Sequence, residues 1–201
     1  MQILKAALAS ISIAFAGATA FAPAATAQGS TVVVIDQAKI MRDSAGGQDI
    51  TSKVNAIENT MMSELQPTAD ALQTERDSLR ARSENMSMDA ITADEQLRSE
   101  FQDFARKSQQ FNRQRQIAAA ELQATERQAW STFFTAMQPV LEEVVTETGA
   151  DIMFDRSDAV YASADLDATD RVISKMNAKM PTVEVVRQQI DPQQLQQAQQ
   201  Q

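Results

Sequence analysis

From Ile50 onward, apolar residues recur every three or four positions: Ile50, Val54, Ile57, Met61, Leu65, Ala69 and Leu72, then Leu79 and Met86, with Arg76 and Ser83 in the gaps. That spacing puts one side chain per turn on a single stripe, so it predicts a long helix with a seam sustained over about five heptads. A second seam runs through Leu97, Phe101, Phe104, Ser108, Phe111, Ala118, Leu122, Thr125, Ala129, Phe133, Met137, Val140 and Val144. The pattern lapses between them, over Asn85–Ala90. Thr92, with Glu95 three residues on, has the form of a capping box and sets the expected start of the second helix. So short a break makes the helices turn back on each other as an antiparallel pair. About 40 residues per helix, at roughly 1.5 Å each, give an arm of roughly 60 Å. Pro67 and Pro139 interrupt neither seam, so each predicts a bend rather than a stop. Gly149 ends the second helix.

The flanks change period. Thr31–Asp36 is a β-branched apolar run and reads as a buried strand. Gln37–Arg42 can form one helical turn, and Ser44-Ala45-Gly46-Gly47 reads as a flexible joint before the arm. Beyond the arm, Asp151–Asp155 is a second strand and Ala159–Ala162 a third, with Arg156-Ser157-Asp158 as a hairpin turn between them. Asp167 is placed to cap a last helix, with Asp170 in its first turn and Val172, Ile173 and Met176 on its apolar face. Pro181 stops that helix. The fold class is therefore mostly α with a small β head. The head is discontinuous, 28–49 with 148–180, and the arm spans 50–147. Residues 181–201 are dominated by Gln from Gln188 on and read as a disordered tail. Three short strands and a helix make too small a core to stand alone, which points to a homo-oligomer whose strands join across subunits.

The N-terminus reads as a secretory signal peptide: Lys5, the small apolar run Ala6–Ala22, then Ala25-Thr26-Ala27 as the cleavage pattern. Residues 1–27 are excluded from the fold, and the location implied is outside the inner membrane. The whole chain carries 18 Lys and Arg against 27 Asp and Glu, net −9, and loss of Lys5 makes the remainder more acidic. No basic footprint for nucleic acid is present. With no Cys and no His, disulfides, the common zinc sites and His- or Cys-dependent catalysis are excluded. Five Gly and five Pro among abundant Gln, Ala, Glu and Arg favour helix. Nothing in the chain points to an enzyme or to a cofactor. Asp165, Asp167 and Asp170 lack the glycine and distal Glu of a calcium loop, and helix capping accounts for Asp167 and Asp170.

Val33-Val34-Ile35-Asp36 followed by Ser44-Ala45-Gly46 resembles the N-terminal strand and joint of the Skp/OmpH family of periplasmic chaperones. Gly149-Ala150-Asp151-Ile152-Met153-Phe154-Asp155, then Val160-Tyr161-Ala162 and Leu166-Asp167-Ala168-Thr169-Asp170, is similar to that family's C-terminal block. The order of elements fits over Gln28–Lys179. The resemblance implies a homotrimer in which the heads form a small intersubunit β-barrel and three helical arms enclose a cavity. That cavity would hold unfolded outer-membrane β-barrel proteins in the periplasm without ATP or metal, with transient contact to the membrane or assembly machinery. This chain departs from the family in being acidic, and its tip around Glu84–Asp89 has no Lys or Arg, so lipopolysaccharide binding is not carried over. The rival reading is a coiled-coil spacer or adaptor that docks its hairpin tip on an envelope partner.

The candidate residues follow from these readings. Phe101, Phe104 and Phe111 either line a surface for unfolded apolar segments or form the arm's own seam, and their helical spacing favours the seam. Met86 and Met88, at the turn, have flexible thioethers suited to promiscuous apolar contact. Val32, Val33, Val34, Ile35, Ile152, Phe154 and Val160 are the candidates for oligomerisation.

Overall fold

The structure, a computed structural model, describes residues 29–191. The expected signal peptide and the last ten residues of the chain lie outside the described residues.

Strand β1 (Val32–Ile35) leads directly into helix α1 (Gln37–Asp43). Asp36 makes the corner: its backbone is extended and its Oδ1 accepts from the Lys39 N–H at 2.7 Å. Ser44 makes the next corner. It is fully buried, closes α1 by donating to the Ile40 carbonyl, and opens helix α2 (Ala45–Ser83) by accepting from the Gly47 N–H at 3.2 Å. The Ser-Ala-Gly-Gly joint is therefore not flexible. Its last three residues form the first turn of α2, and the glycines are there for space. A Cβ on Gly46 would sit 2.7 Å from the Met180 carbonyl oxygen, and one on Gly47 only 1.8 Å from that of Met41.

Helix α2 runs through the exposed Pro67 without stopping. At the tip, Met88–Ala93 forms a short helix α3 where the sequence suggested only a break. The capping box at Thr92 does not form, because Thr92 lies inside α3 and donates to the Met88 carbonyl at 2.8 Å. Asp94 caps instead, accepting from the Leu97 N–H at 3.0 Å, and α4 covers Glu95–Thr148. Ion pairs between Arg82 and Glu100 and between Lys107 and Glu75 cross the antiparallel arm. Gly149, at φ +62°, ends α4 in the left-handed conformation that glycine adopts without steric cost.

Strand β2 (Ile152–Asp155) returns parallel to β1, with Val32 opposite Ile152 and Ile35 opposite Asp155. The expected third strand does not form. Arg156–Asp158 is a 3-10 turn instead of a hairpin turn, held by Asp155 Oδ1 accepting from the Ser157 N–H (2.8 Å) and by Arg156 pairing with Asp167 (2.9 Å). Ala159–Ala162 is thereby directed away from the sheet, and Val160 and Tyr161 stand exposed. The other edge of β1 takes a single bridge, Val34 opposite Asp167. Helix α5 (Thr169–Lys179) follows. Asp167 supports its start from outside, accepting from the Thr169 N–H at 2.9 Å, while the cap position itself is Ala168.

The core lies where these elements meet. Val33, Ile35, Ile40, Ile50, Phe133, Val140, Val144, Val172 and Met176 are buried together. The last turns of α4, from Ala129 to Val144, thus belong to the head core rather than to the free arm. Lys39–Asp170 and the Lys175 and Lys179 pairs with Glu143 tie α5 down on both sides.

The tail expected to be disordered from 181 is ordered through Asp191. Val183 is buried in the head core, and the segment lies against the base of the arm. Four of its backbone groups, at Val183, Gln188 and Ile190, are met by side chains of α2 and α4.

Candidate functional site

The sequence-derived candidates separate into three places. On the arm, Phe101, Phe104 and Phe111 are half-buried, as are Leu65 and Leu72. Two helices cover only one stripe of each other, so apolar seam residues keep one flank in solvent. Phe111 and Leu72, with Glu75 and Lys107, line a cleft of about 400 Å³ between α2 and α4. The clamp across it is the Lys107–Glu75 pair, at 3.0 Å, between exposed and half-exposed partners. Such pairs hold by about 0–1 kcal/mol, so they do little to stop the cleft opening. At the tip, Met86 is half-buried while Met88, the first residue of α3, is 76% exposed.

In the head, the oligomerisation candidates divide. Val33, Val34 and Ile35 are buried within this chain. They are its own core rather than a free interface, because β1 is covered by α5 and the end of α4. A polar substitution there would unfold the head before reporting on assembly. Val32 is half-buried. Ile152, Phe154 and Val160 do face outward, at 41, 46 and 108% exposure, beside Tyr161 at 85%. Of these, Phe154 lines a cavity of about 760 Å³, with Phe134, Met137, Leu141, Val145 and Met153. A neighbouring hollow of about 700 Å³, with Met41, Trp130 and Phe134, continues the apolar surface along α4. Trp130, Phe133 and Phe134 pack edge-on or tilted at centroid distances of 5.6 to 6.3 Å. Among the described residues no further strand pairs with β2, so its outer edge is open.

Sequence reasoning placed Phe133 on the α4 seam but missed the outward face of Trp130, Phe134 and Leu141. Their positions, one step off the seam, were the available signal. Both flanks of α4 are apolar near the head, wider than one partner helix can cover.

Charge near the head is used for fastening. The Lys175 and Lys179 ammonium groups donate to Glu143 at 2.8 and 2.5 Å and hold its carboxyl down at a pKa of about 2. Asp155 is also held below the usual carboxylate range, first by the Ser157 hydroxyl and also by the backbone N–H groups of Ser157 and Gln37. Asp165, Asp167 and Asp170 are each engaged locally, with Ser163, with Arg156 and Thr169, and with Lys39. Among the described residues no group of three or more acidic side chains is placed to hold a metal ion. No described helix is long and apolar enough to cross a membrane.

A family model for OmpH-like outer membrane proteins matches residues 31–176. No curated protein sequence matches the chain. A solved protein from Caulobacter crescentus, described as an OmpH-like outer membrane chaperone, superposes with a TM-score of 0.68 at 21% identity, over 81% of this chain and 93% of its own. At that identity the likeness establishes the shared fold: a long helical hairpin on a small two-stranded head.

Proposed function

This chain belongs to the family of OmpH-like outer membrane proteins, and from that premise we propose that it is an ATP-independent periplasmic holdase for unfolded outer-membrane β-barrel proteins. The observation that carries the reading is the arm. Beyond the head core, α2 and α4 project with a half-buried apolar stripe, Leu65, Leu72, Phe101, Phe104 and Phe111, that no other described element covers. Unfolded chains present short apolar segments in no fixed order. Many weak contacts along a deformable arm retain them by multivalency and still let them leave for a more stable site. The acidic exterior keeps the loaded complex soluble.

Assembly as a homotrimer through the head completes the reading. The head offers an open edge of β2, an exposed Val160-Tyr161 and an apolar cavity that Phe154 of β2 lines. An extended apolar segment beside an open strand edge is a ready partner for the same face of another copy. Val160→Asp should leave the helical content of the chain unchanged, since the side chain is fully exposed, and reduce the sedimenting mass to a monomer. An unchanged mass would remove this interface.

The function is tested by light scattering as a urea-unfolded outer-membrane β-barrel is diluted with and without the chain from Gln28 onward. Suppression at about one trimer per client is the expected result. Exposed Met88 at the tip favours one rival, an adaptor that docks its tip on an envelope partner. No suppression by an intact oligomer, with loss of function on Met88→Asp, would decide for the adaptor.

A further inference from the structure

After Pro181 the chain runs outward from the head, along the arm, in extended form. The arm receives it through side chains that reach its backbone. The Val183 N–H donates to Asp49 Oδ2 at 2.8 Å, and the Val183 carbonyl accepts from Lys53 Nζ at 2.7 Å. Farther out, the Gln188 N–H donates to Thr125 Oγ1 at 2.9 Å and the Ile190 N–H to Glu121 Oε1 at 3.3 Å. The Arg187 guanidinium donates to Glu121 Oε2 through Nε (3.0 Å) and Nη2 (2.8 Å), and to Glu64 Oε2 through Nη1 (2.9 Å).

Glu121 and Thr125 are buried, at 7 and 1% exposure, on a helix whose other buried positions are apolar. A carboxylate and a hydroxyl there are costly unless something satisfies them. The Thr125 hydroxyl gives its proton to the Glu121 carbonyl of its own helix at 2.7 Å, and what its oxygen and the Glu121 carboxylate accept comes from an extended backbone and a guanidinium, not from the opposite helix. Acceptors aimed at the Val183, Gln188 and Ile190 N–H groups, a hydrophobic seat for Val183 and two carboxylates for a cation four residues later are the parts of a peptide-binding groove.

The groove also continues past its occupant. From Glu64, residues Thr68, Ala71 and Glu75 follow at helical steps. From Glu121, residues Gln114, Gln110 and Lys107 do the same, so the distal cleft lies on the same pair of stripes. Residues 182–191 do not line that cleft.

We propose that the groove between α2 and α4, from Asp49 to Glu64 and from Thr125 to Glu121, is a binding site for an extended peptide with an apolar residue and a basic residue four positions on. Residues 182–191 occupy it in cis as a displaceable self-ligand. They add neither helix nor strand. Only Val183 is fully buried, and Glu184 and Val186 face solvent. Tethering keeps the self-ligand at an effective concentration of roughly millimolar, so a weak competitor is excluded. A longer extended chain gains the distal cleft as well and displaces it. That the competitor is a client rests on the proposed holdase function; the groove itself does not.

The test uses the full chain from Gln28 and a fluorescein-labelled synthetic peptide of residues 181–191, read by anisotropy. Arg187→Glu sets a carboxylate against Glu64 and Glu121 and releases the strap, which hydrogen exchange at the Gln188 and Ile190 amides reports. The released chain should bind the peptide at least tenfold tighter than the unaltered chain. Thr125→Cys with Gln188→Cys, the sole cysteines in the chain, should abolish when oxidised the weak peptide binding that the tethered strap leaves, and recover it on reduction. This pair also carries the test should Arg187→Glu fail to fold. A chain whose strap is released yet binds no peptide overturns the proposal, as does equal binding by the oxidised and reduced pair. Peptide binding by a chain that suppresses no aggregation supports the groove and sinks the holdase reading.

Discussion

Gly47→Ala sets two physical effects of opposite sign against each other. Gly47 sits in the first turn of α2, and in a helix alanine is favoured over glycine by about 1 kcal/mol. Propensity alone therefore predicts a more stable protein. The corner made by Ser44 predicts the reverse. A Cβ at Gly47 would lie 1.8 Å from the Met41 carbonyl oxygen and 3.1 Å from Ser44 Oγ. The first contact is with backbone at the end of α1, which no rotamer change relieves. The end of α1 must move, and with it Ser44, whose hydroxyl caps α2. Overpacking of this kind costs about 1–3 kcal/mol, and loss of a Ser cap about 0.5–2 kcal/mol. After the propensity gain, the net expectation is a loss of about 2 kcal/mol. Urea unfolding followed by far-ultraviolet circular dichroism measures it, with both proteins at the same concentration because assembly contributes to apparent stability. A midpoint equal to or above that of the unaltered chain would refute the reasoning and return this segment to a flexible joint.

Two further outcomes can be checked on the same preparation. Pro67→Ala restores the backbone bond to the Ser63 carbonyl on an exposed face of α2, and should raise stability by about 1–3 kcal/mol; a lowered thermal midpoint would mean that the proline sets a bend the fold requires. Glu143, held at a pKa of about 2 by Lys175 and Lys179, has a folded pKa below its unfolded value, so its contribution is present above the ordinary carboxylate range and is lost as pH falls toward 2. Glu143→Gln should flatten that part of the stability–pH curve, and an unaltered slope between pH 4.5 and 2 would show that these contacts do not hold α5 in solution.

The hairpin was legible because its information is local and repeated. A seam such as Ile50, Val54, Ile57, Met61 specifies helix and facing stripe together, and dozens of residues repeat the statement. The head was legible in outline for a similar reason: a β-branched run such as Val32–Ile35 has few alternatives to a strand. On the arm, the candidates Phe101, Phe104 and Phe111 are half-buried.

Pairing, space and long-range polar contact were left to the tertiary structure. Ala159–Ala162 has strand composition, but a strand needs an edge to pair with, and the turn held by Asp155 and by Arg156 with Asp167 carries it away from β1 and β2. Gly46 and Gly47 look permissive in sequence; only the carbonyls of Met180 and Met41, close by in space, make them necessary. The strap was least visible. Its composition is that of a polar tail, and the groups that order it, Asp49, Lys53, Glu64, Glu121 and Thr125, are 63 to 134 positions away along the chain. A backbone N–H accepted by a distant side chain leaves no period in the sequence, so that contact exists only once the two helices of the arm lie side by side.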